Sequence, residues 1–159
     1  PAAAAIAVQA KPLVAVAVPA KPAKEKTEFA KDDALAQQLR SIYASERIDA
    51  VTKIGAKPEL SENDLKNLEL ALKEDPSPNV RLMILDALRS RMNKQNVQAV
   101  LINALNKQDD GMIKTSMVDM LISVRSQQAI PHMIALLNDK ETDPVTQNKI
   151  KVNIQSFLN

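Results

Sequence analysis

The sequence predicts an all-α protein, a short α–α superhelix of stacked helix pairs following an extended or disordered N-terminal tail. Three observations predict it. Glycine is nearly absent, with only Gly55 and Gly111 in 159 residues. From Asp32 onward, apolar residues recur at the three- and four-residue spacing of amphipathic helices. Similar residues also return to register after a shift of 33 positions.

Glycine scarcity speaks against a β-sandwich or barrel, which needs many turn glycines, and against a nucleotide-binding α/β fold, which needs a Gly-rich phosphate loop. Hydrophobic residues make up 45% of the chain, aromatics 2%, and Trp is absent. The core is therefore built from Leu, Ile, Val, Met and Ala, a mixture that suits packed helices.

Taken in order, residues 1–30 stand apart. They hold Pro1, Pro12, Pro19 and Pro22, with Lys-Pro repeated at Lys11–Pro12 and Lys21–Pro22. Such runs favour polyproline-II geometry and act as semi-rigid linkers. The run Leu13 to Val18 reads as a strand only if a partner offers an edge. The Ala/Val-rich start, without an initiator Met, reads either as the remnant of a processed export signal or as a fragment boundary. No stretch reaches the roughly 18 apolar residues of a membrane span. The helical domain occupies residues 31–159.

Within that domain, Leu35, Leu39 and Ile42 form the first apolar ladder, then Ile48, Val51 and Ile54, then Leu65, Leu68 and Leu72. Ser61 with Asp64 reads as a helix start, a relative of the capping box. Asp75-Pro76-Ser77-Pro78-Asn79 is a turn leading into a helix at Val80, and Asp143-Pro144 repeats that logic.

The 33-residue shift aligns Val80, Ile113 and Thr146; then Ile84, Met117 and Ile150; then Leu88, Leu121 and Ile154. The following helices keep the offset: Val97 with Ile130, Val100 with Met133, Leu68 with Leu101 and Ile134, and Ala71 with Ala104 and Leu137. Each unit is a helix of about four turns, a short turn, and a helix of about three turns. Neither helix buries its apolar face alone, so successive pairs must stack into one core. Asp75, Asp109–Asp110 and Asp143 precede the first helices, where acidic groups favour the exposed N–H groups.

Several chemistries are disfavoured. The net charge is +2, from 21 basic and 19 acidic residues, too balanced for a general nucleic-acid footprint. Cysteine is absent, so thiol catalysis, disulfides and Cys-ligated metals are out. His132 is the only histidine and makes a poor metal site alone. Ser41, Ser45, Ser90 and Ser116 lack nucleophile-elbow surroundings. Asp86 with Asp119, and Arg81 with Lys114, share repeat positions; the expectation is exposed ion pairs between repeats along the outer helices, not an acid–base dyad.

The stretch Asp75–Leu88, DPSPNVRLMILDAL, resembles HEAT repeats, whose first helix opens with Asp-Pro, then Val-Arg and a spaced apolar ladder. It is similar in particular to the HEAT region of bacterial membrane-anchored zinc-finger proteins of the anti-sigma-factor type. There a segment like Ser45-Glu46-Arg47-Ile48 precedes a long helix, then Asn-Val-Arg-Leu and Asp/Glu-Ala-Leu; here these are Asn79–Leu82 and Asp86–Leu88. The resemblance covers about residues 40–159. It implies a domain outside the cytoplasmic membrane, tethered by residues 1–30, with any membrane contact made through an anchor upstream of this chain. Thr146 and Asn153 depart from the family pattern, which expects apolar residues there, and suggest a polar closing helix.

The resemblance also implies a function: a non-enzymatic scaffold, the extracytoplasmic part of an envelope regulator, binding a protein or peptide on the concave face lined by second helices, with no cofactor. The register puts Glu62, Lys66, Glu69 and Lys73 on that face, then Gln95, Ala99, Ile102 and Asn106, then Gln128, His132, Ala135 and Asp139. One alternative is a HEAT-like nucleic-acid-binding protein, which needs a basic groove with aromatics; here Phe29, Tyr43 and Phe157 lie outside the groove. Another is a HEAT-like lyase or chaperone acting on a partner protein, as in the phycobilin lyases.

Overall fold

A computed structural model describes residues 34–158. The linker expected over residues 1–30 lies outside them. The described chain is helical: α1 (Ala34–Gln38), α2 (Ala44–Gly55), α3 (Glu62–Glu74), α4 (Pro78–Arg89), α5 (Gln95–Leu105), α6 (Gly111–Ser123), α7 (Ile130–Asn138) and α8 (Pro144–Leu158). A 3₁₀ turn, Gln127–Ala129, leads into α7.

The helices form two layers. In the first, α2 packs on α4, α4 on α6 and α6 on α8; in the second, α3 packs on α5. Across the layers, α3 rests on α4, α5 on α6 and α7 on α8, while α1 covers α2. This is the α–α superhelix expected from the repeat.

The repeat columns show why. Val80, Ile113 and Thr146 are wholly buried, as are Ile84, Met117 and Ile150. Each of α4, α6 and α8 packs on the first-layer helix and the second-layer helix that precede it, so the same positions go dry. Thr146 does not cap the solenoid with a polar face. Its hydroxyl lies inside, 2.6 Å from the Asp143 Oδ2 and 2.6 Å from the Thr115 Oγ1, so the buried oxygen is satisfied. Asn153 is half-buried and donates to the Lys149 carbonyl at 2.8 Å.

The helix starts follow the sequence signals closely. Ser61 caps α3 with a full capping box: it accepts from the Asp64 N–H at 3.1 Å, and the Ser61 N–H donates to Asp64 at 2.9 Å. The α4 helix opens at Pro78 rather than Val80, because proline suits a first turn whose N–H is unpaired anyway. Asp110 caps α6 through the Met112 and Ile113 N–H groups. These early starts and ends leave α4 and α6 with 12 and 13 residues, a little over three turns, not four.

Two expectations fail near the N-terminus. Ile42 does not continue the Leu35–Leu39 ladder; the chain leaves α1 after Gln38, and Ile42 is 85% exposed in the link to α2. Ser45–Ile48 does not precede a helix but forms the first turns of α2.

Candidate partner-binding face

A hydrogen-bonded ladder sets the spacing of the second layer. Arg47 on α2 forks onto Asp75, Nε to Oδ2 at 2.7 Å and Nη2 to Oδ1 at 2.9 Å. Both side chains are buried, and the paired carboxylate holds the Arg47 guanidinium above its usual pKa. Asp75 also accepts from the Ser77 N–H at 2.8 Å, which shapes the turn into α4. One unit on, Arg81 reaches Asp109 at 2.8 Å and Gln108 at 3.4 Å. Buried Gln108 donates to the Leu72 and Ala104 carbonyls at 2.9 and 3.2 Å, closing the C-terminal ends of α3 and α5.

The expected outer-helix pairing is therefore corrected. Arg81 points to the turn after α5, and among the described residues Asp86 meets only Arg89 of its own helix, at 3.8 Å. Asp119 does pair between repeats, with Lys149 of α8.

With the second layer held this way, α3 and α5 enclose a groove of about 390 Å³. Glu62, Lys66, Glu69 and Lys73 line it from α3, and Asn96 and Ala99 from α5; Leu65, Leu70 and Val100 form an apolar floor. Lys73 and Glu69 pair within α3 at 2.5 Å, and Glu69 accepts from Asn103 of α5 at 3.3 Å. Glu62 and Lys66 are exposed and have no ion-pair partner among the described residues. The groove thus has a dry floor and a rim of balanced charge.

Other expected face residues scatter. Asn106, Ala135 and Asp139 line a second pocket of about 190 Å³ with Lys114 and Leu136. Gln95 and Gln128 are exposed and His132 is half-buried, but they line neither pocket; Gln128 sits in the 3₁₀ turn before α7. Ile102 is not on the open face: it is 7% exposed and belongs to the core. Glu69, one unit earlier, shows why. That position faces the next second-layer helix, so Ile102 is covered, whereas Ala135 has no helix beyond it among the described residues and is exposed. The same edge leaves Ile134 45% exposed, while its column mates Leu68 and Leu101 are fully buried. Asn96 and Val100 were missed because the open face of α5 centres on Asn96, Ala99 and Asn103, rotated from the simple 33-residue projection.

The family model for HEAT repeats matches residues 65–151, more than half of the chain. The chain belongs to the HEAT-repeat family. HEAT repeats commonly serve as protein-interaction scaffolds and are typically non-enzymatic. No curated protein and no solved structure matches the chain. No described helix of this HEAT domain is long and apolar enough to cross a membrane.

Proposed function

We infer that this HEAT domain is a non-enzymatic interaction scaffold whose partner, a protein or peptide, docks on the α3–α5 groove. The observation that carries this is the floor of Leu65, Leu70 and Val100 under a rim of Glu62, Lys66, Lys73 and Asn96. An apolar floor supplies burial for one or two side chains, and a mixed polar rim orients them. The rim holds two acids and two bases from α3, which suits a polypeptide better than a polyanion. The finer reading, the extracytoplasmic part of an envelope regulator, rests on the resemblance carried by Asn79–Leu82 and Asp86–Leu88.

The test is site-directed photocrosslinking in the cells that make the protein, with the crosslinker at Lys66 or Ala99 and, as control, at Asp86 on α4. The expected outcome is one shared adduct from the two groove positions, absent from Asp86 and abolished by Asn96→Arg with the melting temperature unchanged. Equal crosslinking from Asp86, or an adduct that survives Asn96→Arg, overturns the assignment.

A further inference from the structure

The ladder that joins Arg47 to Asp75 and Arg81 to Asp109 spans 28 residues each time. The next cation in the series is Lys114, and the residue 28 positions after it is Thr142, not a carboxylate. The third rung is broken. Lys114 is 7% exposed, and its side chain has no hydrogen-bond or ion-pair partner among the described residues. Its nitrogen is not among the buried unsatisfied atoms, so the cation keeps an opening, and it lines the 190 Å³ pocket with Asn106, Ala135, Leu136 and Asp139.

Asp139 does not close the gap. Its Oδ1 accepts from the Glu141 N–H at 3.0 Å and its Oδ2 from the Thr142 hydroxyl at 3.2 Å, so both oxygens are turned into their own loop. The ammonium thus stands in a largely covered pocket with no carboxylate bonded to it, and an arriving anion gains a charge-assisted contact there.

We propose that the Lys114 pocket receives a single carboxylate from a protein partner, the acidic group that the chain itself supplies at the two preceding rungs. A carboxylate fits better than a phosphate. The pocket is small, offers one cation and the Asn106 amide, and Asp139 at its rim repels a dianion more than a monoanion. That the carboxylate comes from a protein rests on the interaction reading above; the pocket's preference for a carboxylate does not.

The experiment is NMR of the full chain with labelled lysine, the Lys114 signal being assigned by its loss in Lys114→Arg. Sodium acetate is titrated against sodium chloride at matched ionic strength. A saturable shift of Lys114 in acetate only is expected, and Thr142→Asp abolishes it by restoring the rung from within. No saturable shift, an equal shift in Thr142→Asp, or tighter binding of inorganic phosphate than of acetate overturns the carboxylate site. So does a Lys114 signal that moves in Asp139→Asn but not in acetate, since the cation would then be neutralised internally. The protein source is tested separately. Thr142→Asp should weaken the crosslinked partner by about tenfold or more, as loss of a desolvated charge contact does; unchanged affinity removes the protein as the source and leaves the acetate result standing.

Discussion

Gly55 on α2 lies against Ala87 on α4 so closely that a methyl group on Gly55 would stand 2.8 Å from the Ala87 Cβ. Neither partner is a flexible chain end, so the two first-layer helices would have to move apart. Arg91 ties the same junction by donating to the Gly55 and Lys57 carbonyls, the first at 3.0 Å. Gly55→Ala should therefore destabilise by about 1–3 kcal/mol in urea unfolding, the usual cost of overpacking. Combining it with Ala87→Gly should lose less than the two single losses added; strict additivity would show that this contact does not limit the approach.

The two intact rungs differ in burial, and stability should register it. Asp75 is buried against Arg47, whereas the Asp109 side chain is 85% exposed above a buried Arg81. Asp75→Ala strands a desolvated guanidinium and is expected to cost about 3–5 kcal/mol. Asp109→Ala should cost clearly less, because Asp109 is itself solvated and Gln108 still faces the Arg81 guanidinium at 3.4 Å. Equal losses in chemical denaturation would refute the distinction.

Acid should weaken the fold through the capping carboxylates. Burial pushes the Asp64 carboxyl up, but hydrogen bonds from Lys57 and Ser61 outweigh it and hold the group below its usual value. Asp143 behaves alike: burial raises it, and the Thr146 hydroxyl and N–H lower it further. A carboxyl whose folded pKa is depressed stabilises the fold above its unfolded pKa, near 3.9, and loses that contribution as pH falls through the folded value. The melting temperature should hold steady down to about pH 5 and fall below about pH 4, with a shallower fall in Asp64→Asn.

Arg125 ends α6 with φ of 49°, in the left-handed region. The Ser126 N–H returns to the Leu121 carbonyl at 3.0 Å and the Arg125 N–H to Ile122 at 2.9 Å, a Schellman closure built on a residue with a Cβ. Arg125→Gly should raise stability by about 0.5–1 kcal/mol, the relief of the left-handed penalty less the added chain entropy of glycine. A loss on thermal melting would mean that the exposed arginine side chain contributes in its own right.

The first-layer ladder could be read from the sequence because Val80, Ile84 and Leu88 meet the same neighbours as Ile113, Met117 and Leu121. The second layer was less readable. Ile102 and Ile134 occupy adjacent repeat positions, yet one is buried and the other is 45% exposed, and a period alone does not say which second-layer faces are covered. Ile42 failed because a spacing of three persists through a turn as easily as through a helix. In the candidate groove, the α3 residues were found, while Asn96 and Val100 were missed by a small rotation of α5. The broken rung at Lys114 was present in the sequence as an interval of 28 residues, but only the observed contacts of Arg47 and Arg81 reveal that this interval matters.

The intact rungs each begin and end within one helix-turn-helix stretch, Arg47 to Asp75 and Arg81 to Asp109. A gene segment encoding one 33-residue unit can therefore be duplicated without severing either link, since each new copy carries its own cation and its own acid. Such a protein can lengthen by whole modules over evolution, and its terminal units are free to diverge because no rung farther along depends on them.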